Sequence, residues 1–243
     1  MSTSRRPQWM VERVPTFVEG FDDALNGGIP RGSLVLVCGT PGTMKTSLVF
    51  SILYNNVKHN GGRALFVSLE QSYDDLRSAM EELGMKGLDH MELYILDVGR
   101  IRREHKEEES QKDWMQVLME YIDKRARVQD FDLLAIDPLS GLYSLSDMKD
   151  PRRDLFHFFS FLKELGPTSF LISEIPYGSS SLVTYEEDFL ADGIFLLKHY
   201  DIGESDVQLR IRCIKLRKTK HEQGYFALIR TEDHFMVTSV IVE

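Results

Sequence analysis

An α/β domain with a mostly parallel central sheet, flanked by helices and finished by antiparallel strands, is the fold this sequence predicts. Three observations carry the expectation. Strand-like and helix-like segments alternate from Ser33 to Ser173, which implies parallel strands joined by helical crossovers. From Ile194 onward, four strand-like segments follow one another with no helix between them, as antiparallel hairpins on the sheet edge would. The stretch GTPGTMKTS, Gly39 to Ser47, lies where a strand-like run gives way to a helix-like one.

Taken in order, VEGFDDALNGGIPRG is a glycine-punctuated opening. The run SLVLVCG from Ser33 is short, β-branched and bounded by glycines, and reads as a buried strand. After the loop, KTSLVFSILYNNVKHN is apolar at helical spacing and stops at Gly61-Gly62. Arg63 to Leu69 is the second strand, Ser72 to Leu83 a helix ended by Gly84, and Glu92 to Asp97 the third strand. Arg100 to Asp113 has almost no apolar content and is expected as a solvated loop or frayed helix, with Arg102-Arg103 solvated rather than functional. Trp114, Val117, Leu118, Tyr121 and Ile122 share one helical face, a core stripe. Phe131 to Ile136 is a strand, Pro151 to Leu165 a helix, Ser169 to Ser173 a strand, and Pro176 to Asp188 a Gly/Ser-rich loop. The tail strands are Ile194 to Tyr200, Val207 to Leu216, Tyr225 to Arg230 and His234 to Val242. With no internal repeat, 243 residues read as one domain.

Composition narrows the function classes. The chain is 42% hydrophobic and 28% charged, ordinary for a soluble globular protein. It has no apolar run near the ~20 residues that span a bilayer, and the start MSTSRRPQWM lacks the apolar segment of a secretory signal. Cys38 and Cys213 fall inside apolar strands, which suits core packing in a reducing cytosol. A formal net charge of −9 argues against gripping a nucleic-acid backbone as the main task. Cytoplasmic location and no membrane insertion are expected.

Four groups fall at strand carboxyl ends, where ligands collect in such sheets. The first is the loop, close to the phosphate-binding pattern G-x-x-x-x-G-K-[ST]. Gly39, Lys45 and Thr46 are in register, with Thr40, Pro41, Gly42, Thr43 and Ser47 around them, but Met44 replaces the second glycine. Backbone N–H groups here are expected to face phosphate oxygens, Lys45 to reach the β- and γ-phosphates, and Thr46 to hold Mg²⁺. Met44 is either a tolerated substitution or the mark of a weakened site. The second is Asp137, expected to bind Mg²⁺ through water. The third is Glu70, able to orient the attacking water. The fourth is Ser173-Glu174, either a γ-phosphate sensor or a loop cap.

Together these segments resemble the KaiC family of RecA-like ATPases, from about Pro15 to Val237. EGFDDALNGGIPRG is similar to that family's opening motif, matching at Gly20, Phe21, Asp22, Leu25, Gly27, Gly28, Pro30 and Gly32. Gly39 to Thr46 resembles its GxPGTGKT loop apart from Met44. In Leu69-Glu70-Gln71, Glu70 matches the first of the family's paired catalytic glutamates and Gln71 replaces the second. EDFLADGIFLL resembles its E-x-x-x-A-D-G signature, and IKLRKTKHEQGYF its KLRGTxH segment, matching at Lys215, Arg217, Thr219 and His221 with Lys218 in place of glycine. An alternating Lys/Arg strand could also be a solvated edge.

The resemblance implies a RecA-like P-loop core over residues 15–243 behind an N-terminal extension of 1–14. It implies ATP and Mg²⁺ as ligands, with slow hydrolysis inferred from Met44 and Gln71. It implies a homo-oligomeric ring, most simply a hexamer, in which Lys215, Arg217 and His221 serve the neighbour's ATP. Lys45, Glu70, Lys215 and Arg217 are the expected catalytic residues. A regulatory role through a protein partner follows, though a phosphorylation cycle does not, since Asp188-Phe189 occupies the place of the family's modified Ser-Thr pair. The alternatives are a nucleotide-binding scaffold like the archaellum component FlaH, a RadA-like recombination protein, and a ring indifferent to nucleotide.

Overall fold

The computed structural model describes residues 12–104, 113–179 and 181–240. It opens with β1 (Arg13–Val14), β2 (Val18–Glu19), α1 (Phe21–Ala24) and β3 (Ile29–Pro30); β1 and β3 pair as a small separate ribbon. β4 (Leu34–Gly39) leads through the glycine-bearing loop into α2 (Lys45–Asn60), then β5 (Ala64–Ser68), α3 (Tyr73–Glu82) and β6 (Leu93–Asp97). Next come α4 (Val98–Glu104), α5 (Trp114–Ala126), β7 (Leu133–Asp137), α6 (Leu139–Leu145), α7 (Pro151–Leu165) and β8 (Thr168–Glu174). α8 (Glu187–Leu190) precedes β9 (Gly193–Ile202), β10 (Asp206–Leu216), β11 (Tyr225–Arg230) and β12 (Phe235–Ser239).

Ten strands form one sheet in the order β2-β12-β11-β10-β9-β4-β8-β7-β5-β6. From β9 to β6 every pairing is parallel; β9, β10, β11 and β12 pair antiparallel. The parallel core with an antiparallel tail is as expected. The period-two alternation of the strands sorts two cores. Val35, Val37, Phe66 and Phe170 face α2, burying Leu48, Val49, Phe50 and Leu53. Leu36, Val67, Leu134 and Ile136 face the other way, onto Leu118 and Ile122 of α5 and Phe158, Phe159 and Leu162 of α7. Buried Leu and Phe side chains of this kind contribute roughly 1.5–3 kcal/mol each. Cys38 and Cys213 are buried and free, the core role expected of them.

Helix ends follow local chemistry. Ser72, Asp113 and Asp150 cap α3, α5 and α7, their side chains accepting from Asp75 N, Met115 N and Arg153 N. α2 has no such side-chain cap and no acidic residue in its first turn, which leaves its N-terminal N–H groups open to a ligand. Its C-terminus stops at Gly61, φ 67°, as the glycine pair predicts.

One expectation needs correction, one alternative falls away, and one element was not foreseen. The unforeseen element is α6, which forms after Asp137 despite Ser and Gly because Leu139 and Leu142 bury against the second core. The alternative that the Lys/Arg strand is a solvated edge falls away, because β9 and β11 flank β10. The Gly/Ser-rich loop gives way at Glu187 to α8. Of the polar stretch from Arg100, residues 101–104 continue α4 and 105–112 lie outside the described residues. Val242, expected in the last strand, lies outside them too.

Candidate functional site

β4, β8, β7 and β5 are consecutive neighbours in the sheet, so their carboxyl ends line up Gly39, Glu174, Asp137 and the turn bearing Glu70. Gly39 is obligatory for space. A Cβ there would stand 2.6 Å from both Leu197 O and Thr43 Oγ1. Beyond it, the buried Thr43 hydroxyl donates to Thr40 O at 2.8 Å and braces the loop. Gly42, φ 81°, faces open space, and exposed Pro41 accepts from the Tyr177 hydroxyl at 3.1 Å.

Met44 sits at φ 59°, ψ 26°, the left-handed conformation a glycine would adopt without strain. Its side chain packs against the first core, so it points away from the concavity that the loop forms. The backbone of the glycine-type loop is therefore kept with a methionine in it.

Lys45 opens α2; it is buried, and its ammonium donates to Thr40 O at 3.0 Å. Burial lowers its pKa, opposed by the negative charges of Glu174 and Asp137. The Thr46 hydroxyl donates to Asp137 Oδ2 at 2.7 Å, and half-buried Ser47 follows in the same turn. Burial pushes the Asp137 carboxyl up to about 6, even though the Thr46 hydrogen bond and Lys45 pull it down. Partial burial and then the charge of Glu174 raise the Glu70 carboxyl. The site thus gathers three carboxylates around one lysine and one hydroxyl.

This donor set fits Mg²⁺ and a polyphosphate. A buried carboxylate with a raised pKa beside a hydroxyl is short of positive charge, and an uncapped helix N-terminus offers N–H groups to anions. Mg²⁺ binds through one or two protein oxygens, waters and substrate phosphates rather than a full protein cage.

Lys215 and Arg217 are elsewhere. At the end of β10, Leu216 pairs with Gly193, which pairs with Val35 near the start of β4; Gly39, at the other end of β4, pairs with Leu197. At about 3.3 Å per residue, the two ends of β4 are on the order of 15 Å apart. Lys215 donates to Asp188 O at 2.8 Å; Arg217 pairs with Asp192 at 3.1 Å and donates to Phe189 O. Burial and then the charge of Arg217 lower the Lys215 pKa. Half-buried His221 lies in the connection after β10, its Nδ1 3.0 Å from Glu222 O. Lys218, φ 59°, holds a left-handed backbone where the KLRGTxH pattern has glycine.

A nucleotide-binding α/β protein of the P-loop class is what this sheet, loop and carboxylate array define. A family model described as "ATPase: KaiC" matches residues 14–239, and the chain belongs to that family. It is 31% identical over 229 residues to the circadian clock oscillator protein KaiC of Picosynechococcus, covering 92% of this chain and 44% of that one. To KaiC 1 of Synechocystis it is 30% identical over 233 residues, again covering 44% of the relative. The chain therefore spans less than half the length of these curated relatives. In structure it is similar to a KaiC-like protein from the hyperthermophilic archaeon Pyrococcus horikoshii, with a TM-score of 0.81 at 24% identity, over 95% of this chain and all of that one. That likeness shows the RecA-like fold.

Of the residues singled out from sequence, Lys45, Thr46, Asp137 and Glu70 come together, with Glu174 among them. Lys215, Arg217 and His221 do not join them. Sequence reasoning missed Tyr177, whose hydroxyl reaches the loop, and Gly141 of α6, where a Cβ would meet Leu69 Cβ at 2.9 Å and Glu70 Oε1 at 3.5 Å. No local signal pointed to Gly141, because the helix that holds it is stabilised by burial rather than by propensity.

Proposed function

We propose that this chain is a slow, Mg²⁺-dependent ATPase that works in the cytoplasm as a homo-oligomeric ring, most simply a hexamer, with a regulatory role exerted on a protein partner. Residues 15–243 act as one ATPase domain; of the preceding extension, Arg13–Val14 pairs with Ile29–Pro30. The cyanobacterial relatives are named as clock oscillator proteins, which supports regulation rather than bulk hydrolysis. No described helix is long and apolar enough to cross a membrane.

Within one subunit, the N–H groups at the start of α2 and the Lys45 ammonium hold the β- and γ-phosphates. Thr46 and Asp137 hold Mg²⁺, Asp137 through water; the ion supplies neutralising charge on the phosphate oxygens. Glu70, its pKa raised toward the working range of a base, orients the attacking water and accepts its proton. With Gln71 where the family has a second glutamate, no other carboxylate from that strand end assists, which supports slow turnover. Gln71 equally favours a second reading, a nucleotide-binding scaffold with little hydrolysis; phosphate release beside ATP binding separates the two.

The observation that carries the ring is the placement of Lys215 and Arg217. Leu216, between them, registers through Gly193 onto Val35 near the start of β4, whereas Lys45 follows Gly39 at the other end of that strand. Cations held this far from their own phosphate loop are placed to serve a neighbour's ATP. A cation supplied in trans raises turnover roughly 10³–10⁵-fold where an arginine finger operates. Glu70→Gln and Arg217→Ala are therefore each expected to be nearly inactive. On subunit exchange about a quarter of head-to-tail interfaces regain both groups, and activity returns. Mixed rings shown to hold both variants yet still dead would refute the assignment.

A further inference from the structure

Glu187 is a carboxylate with no exposed surface, and among the described residues it makes no ion pair. Its hydrogen-bond donors are the Tyr143 hydroxyl, to Oε1, and the Tyr185 amide, 2.8 Å from Oε2. Burying a carboxylate is unfavourable unless it is held by donors, and here both donors have a structural consequence. Tyr185 N fixes the chain just before α8, and Tyr143 belongs to α6. The two tyrosine rings meet edge-on at 5.1 Å.

What this carboxylate fixes is the support for the trans cations. The carbonyls of Asp188 and Phe189, the two residues after Glu187, accept from Lys215 and Arg217. Asp192 closes the bracket: its carboxylate takes Arg217 and Lys163 and accepts from Leu34 N at 3.1 Å. Burial works against the Asp192 charge, yet these donors together hold its pKa below the ordinary range.

At its other end α6 touches the nucleotide site. It begins two residues past Asp137, after Pro138, and Gly141 lies against Leu69 and Glu70 with no space for a methyl group. Any displacement of Asp137 or Glu70 on binding Mg²⁺ and nucleotide is passed to α6, because close-packed contacts transmit shifts rather than absorb them.

We infer that Tyr143 and Glu187 are positioning residues that link a subunit's own phosphate site to the Lys215 and Arg217 it lends to its neighbour. The pair acts through α8, so occupancy at one site sets how the cations are presented at the next. This rests on the trans reading above.

Tyr143→Phe deletes the hydroxyl and keeps the ring. Its affinity for a non-hydrolysable ATP analogue with Mg²⁺ is expected to stay within about twofold of the parent, while phosphate release falls at least tenfold. Adding it to Arg217→Ala should cost less than a further twofold, because both changes remove one function. Hydrogen exchange supplies a readout free of turnover: the analogue should change protection of the amides of 187–192 in the parent and leave them unchanged in Tyr143→Phe. Should Tyr143→Phe fold poorly, Glu187→Gln, which turns an N–H₂ toward one of the two donors, is expected to show the same split. Normal turnover in a folded Tyr143→Phe with an inactive Arg217→Ala would overturn the link and leave the trans reading standing. Multiplying losses in the double variant, or a fall in analogue affinity matching the fall in rate, would overturn it too. Full activity of Arg217→Ala alone would remove the trans reading and the link with it.

Discussion

Asp137→Asn should make the nucleotide-free protein more stable while removing its grip on Mg²⁺. The carboxyl is buried and its pKa is pushed from 3.8 to about 6. At 1.36 kcal/mol per pH unit, this corresponds to on the order of 3 kcal/mol of strain in the folded state wherever the group is charged in both states. The sign follows from linkage. A carboxyl whose folded pKa is raised destabilises the fold above about 6; the penalty fades as pH falls through that value and is gone below 3.8. Asparagine is neutral throughout and keeps an oxygen to accept from Thr46, so nothing offsets the relief. The variant is expected to gain on the order of 1–3 kcal/mol near pH 8 and nothing near pH 4, while Mg²⁺-dependent ATP binding is lost. Urea unfolding at both pH values, with chelator and no nucleotide, measures the difference directly. An unchanged or lower stability near pH 8 would refute the reasoning, and so would an equal gain at both.

Lys45→Ala removes the cation at the phosphate loop and leaves a fold whose core does not depend on it; ATP affinity should fall at least tenfold, about 1.4 kcal/mol, by titration calorimetry. Unchanged affinity would remove the loop from the site. Met44→Gly relieves a left-handed backbone worth roughly 1–2 kcal/mol but adds unfolded-chain entropy and loses packing against the core. Net stability should stay within about 1 kcal/mol of the parent and ATP affinity within about threefold; a tenfold fall in binding would show that Met44 shapes the loop.

Much of this molecule was legible in the sequence, because its strongest signals are local. The run from Leu34 to Gly39 is apolar on both faces, as a strand covered by two helical layers must be. Lys45–Asn60 carries its helical period in its own residues, and Gly61 ends it. The phosphate loop could be read through its one departure. Met44 and Lys218 both replace glycines and both keep positive φ, so the pattern around each position outlasted the residue that normally permits it.

The tertiary structure decided what depends on separation in space. Nothing in the order of residues says that Glu174 stands between Gly39 and Asp137; strand order does, because β8 inserts between β4 and β7. α6 could not be read from a segment of Ser and Gly, since its stability comes from burying Leu139 and Leu142 rather than from propensity. Lys215 and Arg217 could be picked out by pattern, but only the register of β10 on β9 and of β9 on β4 places them at the far end of the sheet from Lys45. Local sequence specifies turns, periods and caps; which charges share a site depends on how strands separated along the chain stack side by side.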